Sequence, residues 1–264
     1  MDKRELREAI QELKKEKDAV LLVHNYQIGD VQDIADIRGD SLGLSRTAAE
    51  TDKPVIVFCG VRFMAETAKI LSPDKKVLIP REDAGCPMAM MVDAESLKEM
   101  KRKHPGAKVV TYVNSTAAVK AESDVCCTSS NAVEVVKGVD ASKIIFTPDR
   151  NLGSYVQRFT DKEIILWDGH CYVHNQFSVE EVKAAKEAHP DAFLMVHPEC
   201  SPEVVDLADS VYSTGGMVKA AREMDHDVFL IGTEEGMIYR LQQENPEKKF
   251  YSAGSPKICR NMKL

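Results

Sequence analysis

The apolar positions of this chain alternate between two periods from one end to the other. Leu6, Ile10 and Leu13 stand at helical spacing within 2–17, with charge on the opposite face. Residues 19–23 are then a continuous apolar run of the kind used by strands covered on both faces, and the run stops at His24-Asn25-Tyr26. After Gly39-Asp40-Ser41, where a small hydroxyl residue precedes a helical pattern as an N-cap would, come a strand over 55–58, a helix over about 63–71 and a strand over 76–80 that leads to Cys86. The programme then restarts. A helix over 95–103 precedes a strand over 108–113 that ends at Asn114; Thr128-Ser129-Ser130-Asn131 opens a helix; a strand spans 143–146; and the run from Ile164 reads as a buried strand delivering Cys171. A third round has a capping box at Ser178-Val179-Glu180-Glu181, a strand over 192–196 reaching His197, a helix opened by Ser213-Thr214-Gly215-Gly216, a strand over 228–231 and a last strand leading to Cys259.

Three landmarks recur in register. The polar residue ending the first strand is His24, Asn114 and His197, at intervals of 90 and 83 residues; the helix-opening serine is Ser41, Ser129 and Ser213, at 88 and 84; the cysteine is Cys86, Cys171 and Cys259, at 85 and 88. Such self-similarity predicts an α/β chain of three similar αβα domains, each with a small parallel sheet, around a pseudo-threefold axis. The expected divisions are 1–87, 88–172 and 173–264. Ligands of parallel sheets lie beyond the carboxyl ends of the strands, where all three landmarks fall, so the active site is expected on the axis.

Composition narrows the function classes. A formal charge of −7 leaves no basic patch for nucleic acid or acidic lipid, and the longest apolar run, 55–61, is too short to span a membrane. Residues 2–17 are too charged for a secretory leader. Seven cysteines with no C-x-x-C pair point to a reducing cytoplasm and to thiols used as metal ligands or in catalysis. Cys59, Cys126, Cys127 and Cys200 read as small buried hydrophobes, with Cys126 and Cys127 on opposite faces of an extended segment.

For Cys86, Cys171 and Cys259 the spacing argues for convergence. Zinc would want a fourth protein ligand in a structural site, or N and O ligands in a catalytic one. A 4Fe-4S cluster held by three thiolates keeps one iron open as a Lewis acid. The serine-opened helices offer N-termini to anions. Tyr26 and Glu199, each two residues past a strand-end histidine, are candidate acid–base groups.

The motifs His24-Asn25-Tyr26-Gln27, Gly39-Asp40-Ser41-Leu42, Tyr112-Val113-Asn114, Cys126-Cys127-Thr128-Ser129-Ser130-Asn131, Trp167 with Gly169 and Cys171, His197-Pro198-Glu199-Cys200 and Thr233-Glu234 resemble, in order and over nearly the whole chain, those of the quinolinate synthase family of NAD biosynthesis. The resemblance implies three αβα domains around a pseudo-threefold axis and one 4Fe-4S cluster per chain on Cys86, Cys171 and Cys259. It also implies condensation of iminoaspartate with dihydroxyacetone phosphate to quinolinate, with release of phosphate and two waters, and coupling to the enzyme that makes iminoaspartate. By the same resemblance His24, Ser41, Tyr112, Asn114, Ser129, His197, Ser213 and Thr214 bind substrate, and Tyr26, His197 and Glu199 move protons. The alternative is a three-cysteine iron–sulfur radical or redox enzyme of the diphthamide-synthesis type.

Two departures stand out. The family usually reads Cys-Pro-Asn-Met at the third ligand, whereas this chain has Cys259-Arg260-Asn261-Met262, and it stops at Leu264 where relatives usually continue. A ligand so close to the last residue is expected to fray.

Overall fold

Each round of the pattern folds into one wholly parallel four-stranded sheet, in a computed structural model that describes residues 1–264. The first sheet has β1 (Ala19–His24), β2 (Ile37–Gly39), β3 (Val55–Cys59) and β4 (Lys76–Leu78), in spatial order β2-β1-β3-β4. The second has β5 (Lys108–Tyr112), β6 (Val125–Cys127), β7 (Lys143–Thr147) and β8 (Glu163–Leu166), and the third β9 (Phe193–Val196), β10 (Ser210–Val211), β11 (Val228–Gly232) and β12 (Lys249–Ser252). Both repeat the first order, β6-β5-β7-β8 and β10-β9-β11-β12, with helices flanking every sheet. The expected class, α/β in three similar αβα units, is what forms.

The sequence reading missed β2, β6 and β10, which at two or three residues are too short to show a period. It also overrated β8. Ile164 and Ile165 are only half-buried and Leu166 is exposed, because β8 is an edge strand covered incompletely, like β4. The central strands β1, β5, β9 and β11 match their apolar runs and are buried on both faces.

A shared device finishes each sheet at its amino side. Asp36, Asp124 and Asp209, at the turn into the short second strand, each donate their backbone N–H to the carbonyl of Leu21, Val109 and Leu194, at 3.0 Å in every unit. The same aspartates accept the N–H of that strand residue on a carboxylate oxygen, at 2.8, 2.8 and 2.7 Å. The carboxylate thereby satisfies an edge donor that a two- or three-residue neighbour strand cannot reach. Lys14, Lys108 and Lys186 pair with the other side of these carboxylates.

A second device closes the helix that follows. Lys75 donates to the carbonyls of Ala48, Ala49 and Thr51, Lys162 to those of Val136, Lys137 and Val139, and Lys248 to those of Ala221 and Met224. These are the orphan carbonyls at the ends of helices Ser41–Glu50, Ala132–Gly138 and Thr214–Glu223, where a cation also favours the helix dipole. The opposite ends of those helices face the axis.

Helix starts depart from the serine pattern. Asp40, not Ser41, caps Ser41–Glu50, accepting the Gly43 N–H at 2.7 Å. Asn131 precedes Ala132–Gly138, but its Oδ1 accepts the Thr128 N–H, so Ser129 lies in the turn before that helix. Only Ser213 is a true cap, holding the Gly216 N–H at 3.2 Å. At Ser178 half of the capping box forms, since Glu181 turns its carboxylate to Ser255 and Lys257.

The first and third units share one apolar core, in which Leu22, Leu44 and Phe58 join Met217, Phe229 and Met237. Each such side chain contributes about 1.5–3 kcal/mol by leaving water. The second unit has its own core around Val110, Ile144 and Phe146 and meets the third largely through polar side chains at the axis.

Candidate active site

A cavity lies where the carboxyl ends of the three sheets converge. It is lined by His24, Tyr26, Ser41, Tyr112, Asn114, Ser129, His197, Glu199 and Thr214 and by all three recurrent cysteines. Ser213 is the exception among the expected residues, facing an adjoining cleft beside Asp40 and Ser129. Cys59, Cys127 and Cys200 are buried elsewhere, while Cys126 is exposed, so the adjacent pair does point to opposite faces.

The cysteines are delivered by matching loops. The N–H groups of Arg62, Arg150 and Glu235 donate to the carbonyls of Ala84, Gly169 and Lys257, at 2.8, 2.8 and 3.0 Å, and each of these carbonyls lies two residues before a cysteine. The residue preceding each donor is Val61, Asp149 or Glu234. Asp149 Oδ2 accepts the Cys171 N–H at 3.1 Å and Glu234 Oε1 the Cys259 N–H at 3.0 Å, whereas Val61 offers Cys86 nothing. Burial pushes all three thiols up, Cys86 to about 12, and nearby thiols reinforce the shift: Cys259 raises Cys86 and Cys86 raises Cys171. Three half-buried thiols that line one cavity are a donor set suited to a soft cation.

The expected fraying at the third cysteine is corrected by its anchors. Lys257, 5% exposed, is gripped by both oxygens of Glu181, at 3.1 and 2.9 Å. Beyond Cys259, Met262 is buried, its carbonyl accepts from Gln27 Nε2 at 2.5 Å, and Lys263 reaches both Glu234 and the Tyr26 carbonyl at 3.0 Å. Burial and cross-unit bonds decide this segment, not its distance from the last residue. Arg260 is exposed and gives its backbone N–H to Tyr172 Oη at 3.2 Å, a bond that proline could not make.

Strand ends β1 and β9 place their histidines in the same way. His24 Nδ1 accepts the Tyr26 N–H at 3.2 Å and His197 Nδ1 the Glu199 N–H at 3.3 Å. Burial lowers both to about 3, so both are neutral, and acceptance at Nδ1 leaves the proton on Nε2. His197 Nε2 lies 3.2 Å from Ser129 Oγ.

Glu199, 3% exposed, is the electrostatic centre. Burial would raise it, but the Tyr112 hydroxyl donates to Oε1 at 2.5 Å, His174 Nδ1 lies 2.7 Å from Oε2, and its carboxyl is held well below the usual range. Among the groups that lower it, His174 contributes most, followed by His197 and the Tyr112 hydroxyl. Asp149, also buried, is raised by burial and by the Glu199 charge, the opposite direction from Glu199 itself.

His174 escaped the sequence reading. Its Nε2 lies 2.8 Å from Thr233 Oγ1, which lies 2.6 Å from the Tyr26 hydroxyl, so Tyr26, Thr233, His174, Glu199 and Tyr112 form one continuous chain. The available signal was the C-x-x-H spacing of Cys171 and His174. Ligand atoms of Cys171, His174 and Glu199 lie within 4.8 Å of one another, close enough that these residues could hold a metal ion. Asn114 Oδ1, buried in the wall, has no hydrogen-bond partner. No helix is long and apolar enough to cross a membrane.

Comparison with known proteins agrees in kind. The family model described as quinolinate synthetase A protein matches residues 8–264. A quinolinate synthase of Geobacter sp. (strain M21) is 58% identical over 264 residues, covering 100% of this chain and 87% of its own. Those of Methanoregula boonei and Caldicellulosiruptor saccharolyticus are 54% and 53% identical, covering 98% and 100% of this chain and 85% and 87% of theirs. None of these matches favours a diphthamide-type enzyme.

Proposed function

Because the chain belongs to the quinolinate synthase family, we propose that it condenses iminoaspartate with dihydroxyacetone phosphate to quinolinate, releasing phosphate and two waters, in the axial cavity. The observation that carries this reading is the meeting, in one cavity, of one thiol from each sheet with a buried anionic carboxylate. We divide the chain into units 1–87, 88–172 and 173–264, so that each cysteine closes its own unit.

Cys86, Cys171 and Cys259 would hold a 4Fe-4S cluster; the donor set fits, since three half-buried thiols lining one cavity are all raised and stay unfavourable as thiolates until a cation joins them. Such a cluster, with one iron free of protein ligands, supplies a Lewis acid for a substrate oxygen.

The chain's own residues divide the remaining work. Glu199, anionic and dry, takes a proton from a substrate carbon, and Tyr112 and His174 steady it as its charge changes. The neutral His24 and His197 direct Nε2–H donors at substrate oxygens, and Ser41, Asn114, Ser129 and Thr214 orient anionic groups at the strand ends. Ser213 acts at one remove, by capping the helix that begins with Thr214. Tyr26, tied through Thr233 to His174, returns a proton to a leaving group. Iminoaspartate hydrolyses in water, which favours direct delivery from the enzyme that forms it, and seven free thiols suit a reducing cytoplasm.

The test is anaerobic assay of the iron–sulfur-loaded chain. Phosphate should appear only when both substrates are present, in a one-to-one ratio with quinolinate. Phosphate release without quinolinate, or with neither substrate dependence, would remove the assignment.

A further inference from the structure

Thr214 lines the axial cavity, yet its hydroxyl is held by two residues of the surrounding wall, Asn25 and Arg240, neither of which reaches the cavity itself. Arg240 belongs to the helix Gly236–Glu244 of the third unit and directs Nη1 at Asn25 Oδ1 of the first, 2.5 Å away. Glu244 steadies the guanidinium from its other side, accepting from Nε at 2.8 Å. Asn25 is fully buried just past the end of β1, and its Nδ2 donates to Thr214 Oγ1 at 3.1 Å. A guanidinium only donates, so the Asn25 amide has one orientation, oxygen toward Arg240 and nitrogen toward Thr214. The consequence passes to the hydroxyl. Thr214 Oγ1 accepts from Asn25 and donates to no protein group, so its proton finds an acceptor only in what fills the cavity.

The repeat contains this relay once. The residue after the strand-end landmark is Ser115 in the second unit and Pro198 in the third, and the residue after the helix-opening serine is Leu42 in the first and Ser130 in the second. Ser115 Oγ makes no hydrogen bond, and Leu42 and Pro198 have none to make. We propose that Arg240 and Asn25 are positioning residues that fix Thr214 as a permanent hydrogen-bond donor, so that this point of the cavity selects an anionic, acceptor-only oxygen of the substrate. A carboxylate and a phosphate share that chemistry. The relay stands on its own hydrogen bonds; its use in substrate selection rests on reading the cavity as the site of iminoaspartate and dihydroxyacetone phosphate.

The experiment is a double-mutant cycle on the iron–sulfur-loaded chain, with calorimetric binding of two probes, malate for the carboxylate and glycerol 3-phosphate for the phosphate. Thr214→Val removes the hydroxyl and should weaken one probe by about 10-fold or more. Arg240→Met frees the Asn25 amide to turn its oxygen to Thr214 and take the proton. It should weaken the same probe by a similar factor in the parent chain but by less than about 2-fold in the Thr214→Val background. Any action of Arg240 through its charge, as on nearby His24, would persist in both backgrounds, and so would general damage to the fold. Asn25→Asp keeps the Arg240 partner but accepts the Thr214 proton, so its loss should also be larger in the parent chain than in the Thr214→Val background. This second variant carries the test if thermal melts show Arg240→Met unfolded. Coupled losses with malate assign a carboxylate to Thr214, and with glycerol 3-phosphate a phosphate. Equal losses in both backgrounds, probe affinities indifferent to Thr214→Val, or a parent chain that binds neither probe would overturn the proposal. Coupled losses in a chain that forms no quinolinate would remove the proposed reaction and leave the relay standing, whereas quinolinate formation with uncoupled losses would remove the relay alone.

Discussion

The two ends of the three sheets have treated the repeat differently. At the amino side the units are nearly interchangeable: Asp36, Asp124 and Asp209 each make the same pair of backbone bonds, and Lys75, Lys162 and Lys248 close equivalent helices. At the carboxyl side, equivalent positions hold His24, Asn114 and His197, and behind the cysteines Val61, Asp149 and Glu234. Residues that only terminate strands and helices face the same task three times, so one solution serves. Residues around a single asymmetric reactant do not. Symmetry survives where side chains act on their own backbone and breaks where they act on something else.

The largest effect that could break this comparison lies in the one carboxyl-side landmark that kept its symmetry. Cys86→Ser, Cys171→Ser and Cys259→Ser should each abolish or cripple cluster binding, read as iron and sulfide per chain, because a hydroxyl is a poor substitute for a soft thiolate. Cys59→Ser, Cys126→Ser, Cys127→Ser and Cys200→Ser should keep it. Loss in Cys127→Ser with retention in Cys259→Ser would end the threefold reading.

Next in size, Glu199→Gln and Tyr26→Phe should fold and load their cluster yet lose about 10²–10⁴ in turnover, the usual consequence of removing a positioned acid or base. Rates near normal would take both residues out of the chemistry.

At the amino side, Asp36→Ala, Asp124→Ala and Asp209→Ala should each lower unfolding free energy by about 1–3 kcal/mol, the cost of stranding a backbone donor, with turnover per folded molecule unchanged. Denaturant melts measure the first and assays at matched folded fraction the second. A loss confined to one of the three would show that the equivalence is geometric but not energetic.

The smallest effect is in pH. His24 and His197 take up protons near 6.5 when unfolded but only near 3 when folded, so unfolding binds protons in that window. Stability should therefore be full above about pH 6.5 and fall as pH drops toward 3, by on the order of 1–2 kcal/mol per histidine at pH 5. His24→Gln should flatten the slope seen in thermal melts of the cluster-free chain; an unchanged slope would place the titration elsewhere.

Much of the site was readable before folding, because the repeat itself is a long-range signal. Residues at matching intervals had to reach matching strand ends, which brings His24, Asn114 and His197 and the three cysteines to one place. Residues outside the repeat were not readable in this way. His174 has no counterpart in the other units, and Thr233, Asp149 and Glu234 differ from unit to unit, so no interval pointed to them. The serines misled in part because hydroxyls near a helix start suit several local roles; Asp40 and Asn131, adjacent to the expected caps, altered two of them.

By itself, the sequence determined the number of units, the central strands and the cysteines that share a cavity, since apolar period and repeat length constrain each unit by local rules. Only the tertiary structure decided what lies between units. Glu199 stays charged because Tyr112 comes from the second sheet and His174 from the loop after Cys171. The segment after Cys259 is held because Gln27 and the Tyr26 carbonyl of the first unit meet it. These contacts join residues 25 to 237 positions apart, and their strength depends on exclusion of water at the axis, which exists only once all three units have packed.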